Sequence, residues 1–346
     1  MKAVVLHAAH DLRIEHFFEE PGTLAPAHVR VRMKAGGICG SDLHYFHDGG
    51  FGVIRVKQPM ALGHEASGII EAIGAGVSGV KIGDLVAVNP SVACDACQYC
   101  RAGMRNHCEN MVFNGSAMRF PHVQGLFREC IDISAERAMV MPEGISPAEA
   151  ALCEPFAVCL HAANQAGDMR GKTVLVSGCG PIGILSIVAA KLKGAARIIA
   201  TDIARHSLDV AARMGASECF DVSGGTEALA PFAQGKGQID LALECSGNAR
   251  AMAAAIPLLR PGARMVLVGL GGDAPMPVNT IVAKELQIVG TFRFDPEFNE
   301  AARLIGSKQV DLSPVISAQY PMEDAVVAFH HAGDRTRATK VALILS

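Results

Sequence analysis

The sequence predicts an α/β protein of two parts, one β-rich and one a doubly wound parallel sheet, and three observations carry that prediction. The β-branched and aliphatic run Val174–Ser177 ends in the turn Gly178-Cys-Gly-Pro-Ile-Gly183 and passes directly into an apolar helical pattern. From Thr173 onward, apolar runs alternate with helical patterns closed by glycine, the order that builds a parallel sheet covered on both faces. Before about residue 150, short period-two segments are broken by frequent glycines, which predicts β structure with tight turns.

Taken in order, His28–Met33, Gly68–Gly74 and Asp84–Val88 alternate as half-buried strands do, and they assign residues 1–150 to a compact β-rich domain. Ser146-Pro-Ala-Glu149 reads as a helix start, with Ser146 as cap, Pro147 in the first turn and Glu149 in the capping-box position. Pro181–Lys193 is an apolar helix ending at Gly194, and Ala204–Met214 another ending at Gly215. Arg197–Thr201, Ile239–Leu243, Ala263–Val268 and Leu286–Val289 are the accompanying strands, so residues 151–293 form the second domain. After Phe294 come a helix over Pro296–Ile305, a loop, a helix over Met322–Ala332 and a strand over Ala338–Leu345. Pattern alone leaves open whether this tail rejoins the first domain.

With 346 residues, half of them hydrophobic, the chain has ample material for two cores. A formal charge of −3 with interspersed signs gives no electrostatic footprint for nucleic acid or an anionic membrane, which makes a small molecule the expected partner. Asp11, Arg13 and Glu15 interrupt any signal-like apolar stretch, and a cytoplasmic location is expected. For the same reason the 11 cysteines point to metal ligation rather than disulfides wherever their spacing is regular. Cys130, Cys153, Cys159, Cys179, Cys219 and Cys245 lie mostly in apolar runs and read as core fillers.

Each glycine of the turn has a separate task. Gly178 permits the tight exit from the strand, Gly180 lets backbone approach a pyrophosphate, and Gly183 lets the helix pack on the sheet. Pro181 and Ile182 open that helix, whose N-terminal amides attract phosphate. Asp202 ends the next strand, where a carboxylate accepts hydrogen bonds from an adenosine ribose and repels a 2′-phosphate; NAD is therefore expected over NADP, with Arg205 as the residue that weakens the preference.

Cys94, Cys97, Cys100 and Cys108 set four thiols within one short stretch, the donor set of a closed, structural zinc site in a lobe spanning about residues 89–110. A second set is scattered: Cys39 in Gly37-Ile-Cys-Gly-Ser-Asp42, His64-Glu65, and Glu154 in Cys153-Glu-Pro-Phe156. No spacing proves that these residues meet. Asp42 is a candidate to accept a hydrogen bond from His64 and fix its tautomer. Ser41 and His44 are candidates to pass a proton from a substrate hydroxyl to solvent.

These motifs, with Gly290-Thr-Phe-Arg-Phe294, resemble the zinc-dependent medium-chain dehydrogenase/reductase family over essentially the whole chain. The resemblance implies a GroES-like catalytic domain built from residues 1–150 and 294–346, with a Rossmann-type NAD domain inserted. It implies two zinc ions per chain, the catalytic one held by Cys39, His64 and either Glu65 or Glu154. It adds Phe292 and Arg293 to the cofactor set and implies a homodimer or homotetramer. Glu154, standing where simple alcohol dehydrogenases carry cysteine, resembles the polyol branch. Asn114–His122 and Phe292–Phe294 are similar to that branch's enzymes for sugar acids. A sugar acid brings a carboxylate, which a guanidinium binds through two parallel hydrogen bonds; Arg119 and Arg293 are the substrate candidates, Arg293 being by resemblance more a partner of hydroxyls. The competing expectations are a neutral polyol dehydrogenase for sorbitol, xylitol or galactitol, and a non-catalytic NAD-binding scaffold.

Overall fold

A computed structural model describes residues 1–346. The chain divides into one unit of residues 1–154, 298–334 and 340–346, and a second of residues 155–297 and 335–339.

In the first unit, the strand His28–Gly37 is the axis of a seven-stranded sheet. Its alternate residues Val29, Val31, Met33 and Ala35 are buried, as a period-two pattern with one covered face requires. Glu65–Ile73 pairs with it antiparallel along one edge. Along the other edge, Cys130–Ser134 pairs with its first half and Lys340–Ile344 with its second. The end of the chain is thereby sewn into the sheet begun near its start, with Ala342 opposite Gly37. A separate three-stranded sheet is built from Asp11–His16, Lys2–Ala8 and Met60–Ala61.

The expectation of a loop between the last two helices is corrected. Ile316–Pro321 is a strand, parallel to Lys340–Ile344. Its half-buried Ile316, Ala318 and Tyr320 alternate with exposed residues, a period-two signal hidden between Pro314 and Pro321. Glu218–Asp221 is likewise a strand that pattern reading passed over, being only 4 residues long. The helix expected from Met322 opens with a 3₁₀ turn, Met322–Asp324, and becomes α-helical at Ala325.

The second unit holds a six-stranded, all-parallel sheet. Across it the strands run Glu218–Asp221, Arg197–Asp202, Thr173–Ser177, Ile239–Glu244, Leu259–Leu267 and Gln287–Gly290. In sequence rank that order is third, second, first, fourth, fifth, sixth, so the winding reverses beside Thr173–Ser177, where open α/β sheets bind their ligands. Leu175, Ile199, Ile239, Ala242, Ile256, Leu259 and Met265 belong to the core on this sheet; each large side chain among them contributes roughly 1.5–3 kcal/mol by leaving water. No helix is long and apolar enough to cross a membrane.

Candidate active site

Cys39 is the N-cap of the helix Gly40–Asp48. Asp42, three residues on, is fully buried; its Oδ2 accepts from the Cys39 amide at 3.0 Å and its Oδ1 from the Gly63 amide at 3.3 Å. One carboxylate thus fixes the backbone at Cys39 and the backbone just before His64. The expected Asp42–His64 hydrogen bond is corrected: Nδ1 and Oδ1 lie 3.8 Å apart, beyond hydrogen-bond reach, which leaves a close charge–dipole contact in its place.

The Cys39 sulfur, a His64 ring nitrogen and a Glu65 oxygen all lie within 4.8 Å of one another. The donor set suits zinc, which takes thiolate, imidazole and carboxylate at about 2.0–2.3 Å. Its electrostatics favour the protonated forms of several of these groups. Burial, then the Glu65 charge, pushes the Cys39 thiol up to about 12. Burial also raises Asp42, and it pushes the Glu154 carboxyl up to about 8 against the partial relief of His64. A divalent cation reverses this balance by favouring every deprotonated form. Glu154 is 5% exposed at the start of the helix Cys153–Ala166 and feels the charges of His64, Glu65 and Cys39, although it lies outside the converged triplet.

Sequence reasoning missed Lys340. Its ammonium donates to both Glu65 oxygens at 2.7 Å and to the Ile38 carbonyl at 3.1 Å. Burial works against that charge, but the Glu65 charge and hydrogen bonds, with the charges of Cys39 and Glu154, together outweigh it and the net direction is upward. Gly37 makes the pair possible: a Cβ there would stand 2.2 Å from Glu65 Oε2. The available signal was a lone lysine inside the apolar terminal strand Lys340–Ile344, buried at four of its five residues.

Ser41 and His44 share the helix that Cys39 caps and, three apart, the same face of it. The His44 side chain is half exposed, with Nδ1 3.3 Å from Asp48 Oδ2. Arg119 is exposed, and its Nη1 donates to the carbonyls of Asn110 and Met111 at 3.2 and 3.4 Å.

The sulfurs of Cys94, Cys97, Cys100 and Cys108 also fall within 4.8 Å of one another. Cys97 and Cys100 lie 3.5 Å apart, close to the roughly 3.8 Å between two sulfurs on one tetrahedral zinc. Amides of Ala96 and Cys97 hold the Cys94 thiol down to about 6. The lobe's only α-helix, Gln98–Arg101, buries none of its residues, so apolar burial does not account for its order.

In the second unit, the glycine turn has the geometry its spacing predicts. Gly178 is left-handed at φ 88°, and Gly183 packs so tightly that a Cβ would lie 1.8 Å from the Gly178 carbonyl. At Gly180, by contrast, a Cβ would meet nothing within 4 Å, which leaves open space at the N-cap of the helix Pro181–Leu192. The residues fit a dinucleotide pyrophosphate. Asp202 Oδ2 accepts from the Cys179 amide at 2.5 Å and Oδ1 from Ala204 at 2.8 Å, tying the second strand to the turn. Ile182 offers its carbonyl to the Cys159 thiol, and Arg205 pairs with Asp209 at 2.9 Å. Arg293 is left-handed at φ 55°, with its guanidinium 4.9 Å above the Phe292 ring.

Residues 25–143 match the alcohol dehydrogenase GroES-like domain, and residues 181–307 the zinc-binding dehydrogenase domain. The chain is 39% identical to the L-idonate 5-dehydrogenase (NAD(P)(+)) of Escherichia coli (strain K12), over 91% of each chain. It is 36% identical to the sorbitol dehydrogenase of Gallus gallus, over 94% of this chain and 92% of that one. The crystal structure of L-idonate 5-dehydrogenase from Escherichia coli str. K-12 substr. MG1655 matches it with a TM-score of 0.94 at 35% identity, covering 99% of this chain and 97% of that one.

Proposed function

The chain belongs to the zinc-dependent medium-chain dehydrogenase/reductase family, and from that premise we propose that it oxidises the C5 hydroxyl of L-idonate to give 5-keto-D-gluconate, with NAD as hydride acceptor. The observation that carries the reading is the convergence of half-buried Cys39 with the buried pair His64 and Glu65, two segments brought to within 4.8 Å. The choice of a sugar acid is supported by 39% identity to an L-idonate 5-dehydrogenase.

In this reading Cys39, His64 and Glu65 hold the catalytic zinc, with Glu154 beside them, and the four cysteines of the lobe hold a structural one. When bound, zinc supplies Lewis acidity to the substrate hydroxyl and NAD takes up the hydride. The protein's own residues do the remaining work. Asp42 keeps the Cys39 and Gly63 backbones fixed, so the ligand geometry precedes substrate. Lys340 balances the Glu65 charge. Ser41 takes the hydroxyl proton and His44, open to water, releases it. Arg119 binds the substrate carboxylate and Arg293 its hydroxyls, while Asp202 receives the adenosine ribose and disfavours NADP. Residues 1–150 with 294–346 are assigned the catalytic role and residues 151–293 the NAD role. Family resemblance supports a homodimer or homotetramer.

One observation favours a second reading. The Arg119 guanidinium already rests on two backbone carbonyls, as suits an enzyme for a neutral polyol such as sorbitol, xylitol or galactitol. A first experiment tests the shared chemistry: Cys39→Ser abolishes turnover while NADH still binds and perturbs its fluorescence. Retained turnover contradicts the assignment of Cys39, and loss of NADH binding contradicts the division of roles.

A further inference from the structure

His122 is 6% exposed, and neither ring nitrogen is free. Nε2 lies 2.8 Å from the Lys57 amide, and Nδ1 lies 2.8 Å from the Arg119 carbonyl. An amide only donates and a carbonyl only accepts, so Nε2 carries the lone pair and Nδ1 the hydrogen. The ring is therefore a neutral, single-tautomer clip between two pieces of backbone.

Both pieces are attached to the metal-site segments. Lys57 follows Val56, whose amide donates at 3.0 Å to Gly49, the C-cap of the helix that Cys39 begins. The loop carrying Arg119 starts at Phe113, whose ring centroid is 5.7 Å from that of His64. Gly115 then packs so closely that a Cβ would stand 2.5 Å from the Gly63 carbonyl, and the Ala117 amide donates to the Tyr45 hydroxyl at 3.1 Å. Beyond Ala117 the loop emerges at Met118, Arg119 and Phe120, all exposed. Its return is gripped at His122, which reaches back across that tip to the Arg119 carbonyl.

We infer that His122 is a positioning residue for substrate discrimination: its Nδ1–H fixes the backbone of Arg119, and so the direction from which that guanidinium meets a substrate carboxylate. The inference rests on the reading of Arg119 as the carboxylate-binding residue. At its far end the Arg119 guanidinium rests on the carbonyls of Asn110 and Met111, and a long side chain that leaves them for a substrate carboxylate discriminates only if its backbone is held.

The two ring contacts can be separated by substitution. An asparagine amide reproduces Nδ1 and keeps the hydrogen bond to Arg119, whereas a glutamine oxygen reproduces Nε2 and keeps only the one from Lys57. The test measures kcat and KM for L-idonate and D-sorbitol in the parent, His122→Asn, His122→Gln and Arg119→Ala, with circular dichroism and NADH binding verifying the fold. His122→Gln raises the KM for L-idonate about tenfold with kcat nearly unchanged, His122→Asn stays within about threefold of the parent, and sorbitol kinetics barely move in either. Equal shifts in Asn and Gln, or a sorbitol KM that rises with that for L-idonate, overturn the inference and leave His122 a structural residue. A raised L-idonate KM in Arg119→Ala with a parental value in His122→Gln overturns the positioning role alone. A parental value in Arg119→Ala, or a parent that does not turn over L-idonate, removes the reading on which it rests and overturns both.

Discussion

Lys340 is 2% exposed and holds Glu65 through two hydrogen bonds of 2.7 Å, so its removal leaves a carboxylate in a space built for a pair. Breaking a buried pair from one side costs about 3–5 kcal/mol. Lys340→Met should therefore lower the denaturant midpoint markedly, and an unchanged midpoint contradicts the pairing. No local pattern joins these residues, which are 275 positions apart; what the sequence does carry is a lysine that an apolar strand cannot accept unpaired. Asp42 teaches a related lesson. Its type and position mark a partner for His64, yet its hydrogen bonds go to the amides of Cys39 and Gly63 and it stands 3.8 Å from the ring nitrogen. At Glu297 burial would raise the carboxyl, but hydrogen bonds from His161, Asn164 and the Asp295 amide prevail and hold it at about 2 against an ordinary 4.5. A depressed value stabilises the fold above pH 4.5, and the contribution fades as pH falls toward 2. Glu297→Gln should thus cost on the order of 2 kcal/mol at pH 7 and progressively less below about pH 4.5. A difference independent of pH in acid melts contradicts that account.

The cysteine lobe and the glycine turn were legible as elements because each packs its chemistry into one short stretch. Cysteine spacing fixes a donor set, and glycine spacing fixes where a side chain is impossible, at Gly183, and where space must stay open, at Gly180. The capping box at Ser146 was legible for the same reason: the Glu149 amide donates to Ser146 Oγ at 3.3 Å and the Ser146 amide to Glu149 Oε2 at 3.0 Å. Elements whose stability is borrowed from a distant partner were not. Ile316–Pro321 is a strand because Lys340–Ile344 lies beside it, and no residue within it announces that neighbour. The lobe has so little apolar burial that its order is assigned to the metal. Cys97→Ser should then release about one zinc per chain and lower the melting temperature, while the catalytic cluster keeps its own ion. Full zinc content with an unchanged melting temperature contradicts the assignment.

At the scale of the whole molecule, the alternation of strands and helices after Thr173 foretold a parallel sheet, and the strand order found is the one that brings Gly178–Gly183 to the reversal point. What periodicity could not decide was the tail. Lys340–Ile344 joins the sheet of the first unit through antiparallel pairing to His28–Gly37, while residues 335–339 cluster with the second. That return supplies Lys340 to the Glu65 carboxylate, so the candidate centre draws on both ends of the chain. The family is carried by these features together; the substrate depends on a few side chains around Arg119. The most direct test of the account is the rate of NADH formation when the purified protein and NAD meet L-idonate, D-sorbitol, xylitol and galactitol in parallel, repeated with NADP. The account predicts a kcat/KM for L-idonate at least about tenfold above any neutral polyol, and higher with NAD than with NADP. Turnover of neutral polyols alone would contradict it, leaving a zinc-dependent dehydrogenase whose Arg119 binds no carboxylate.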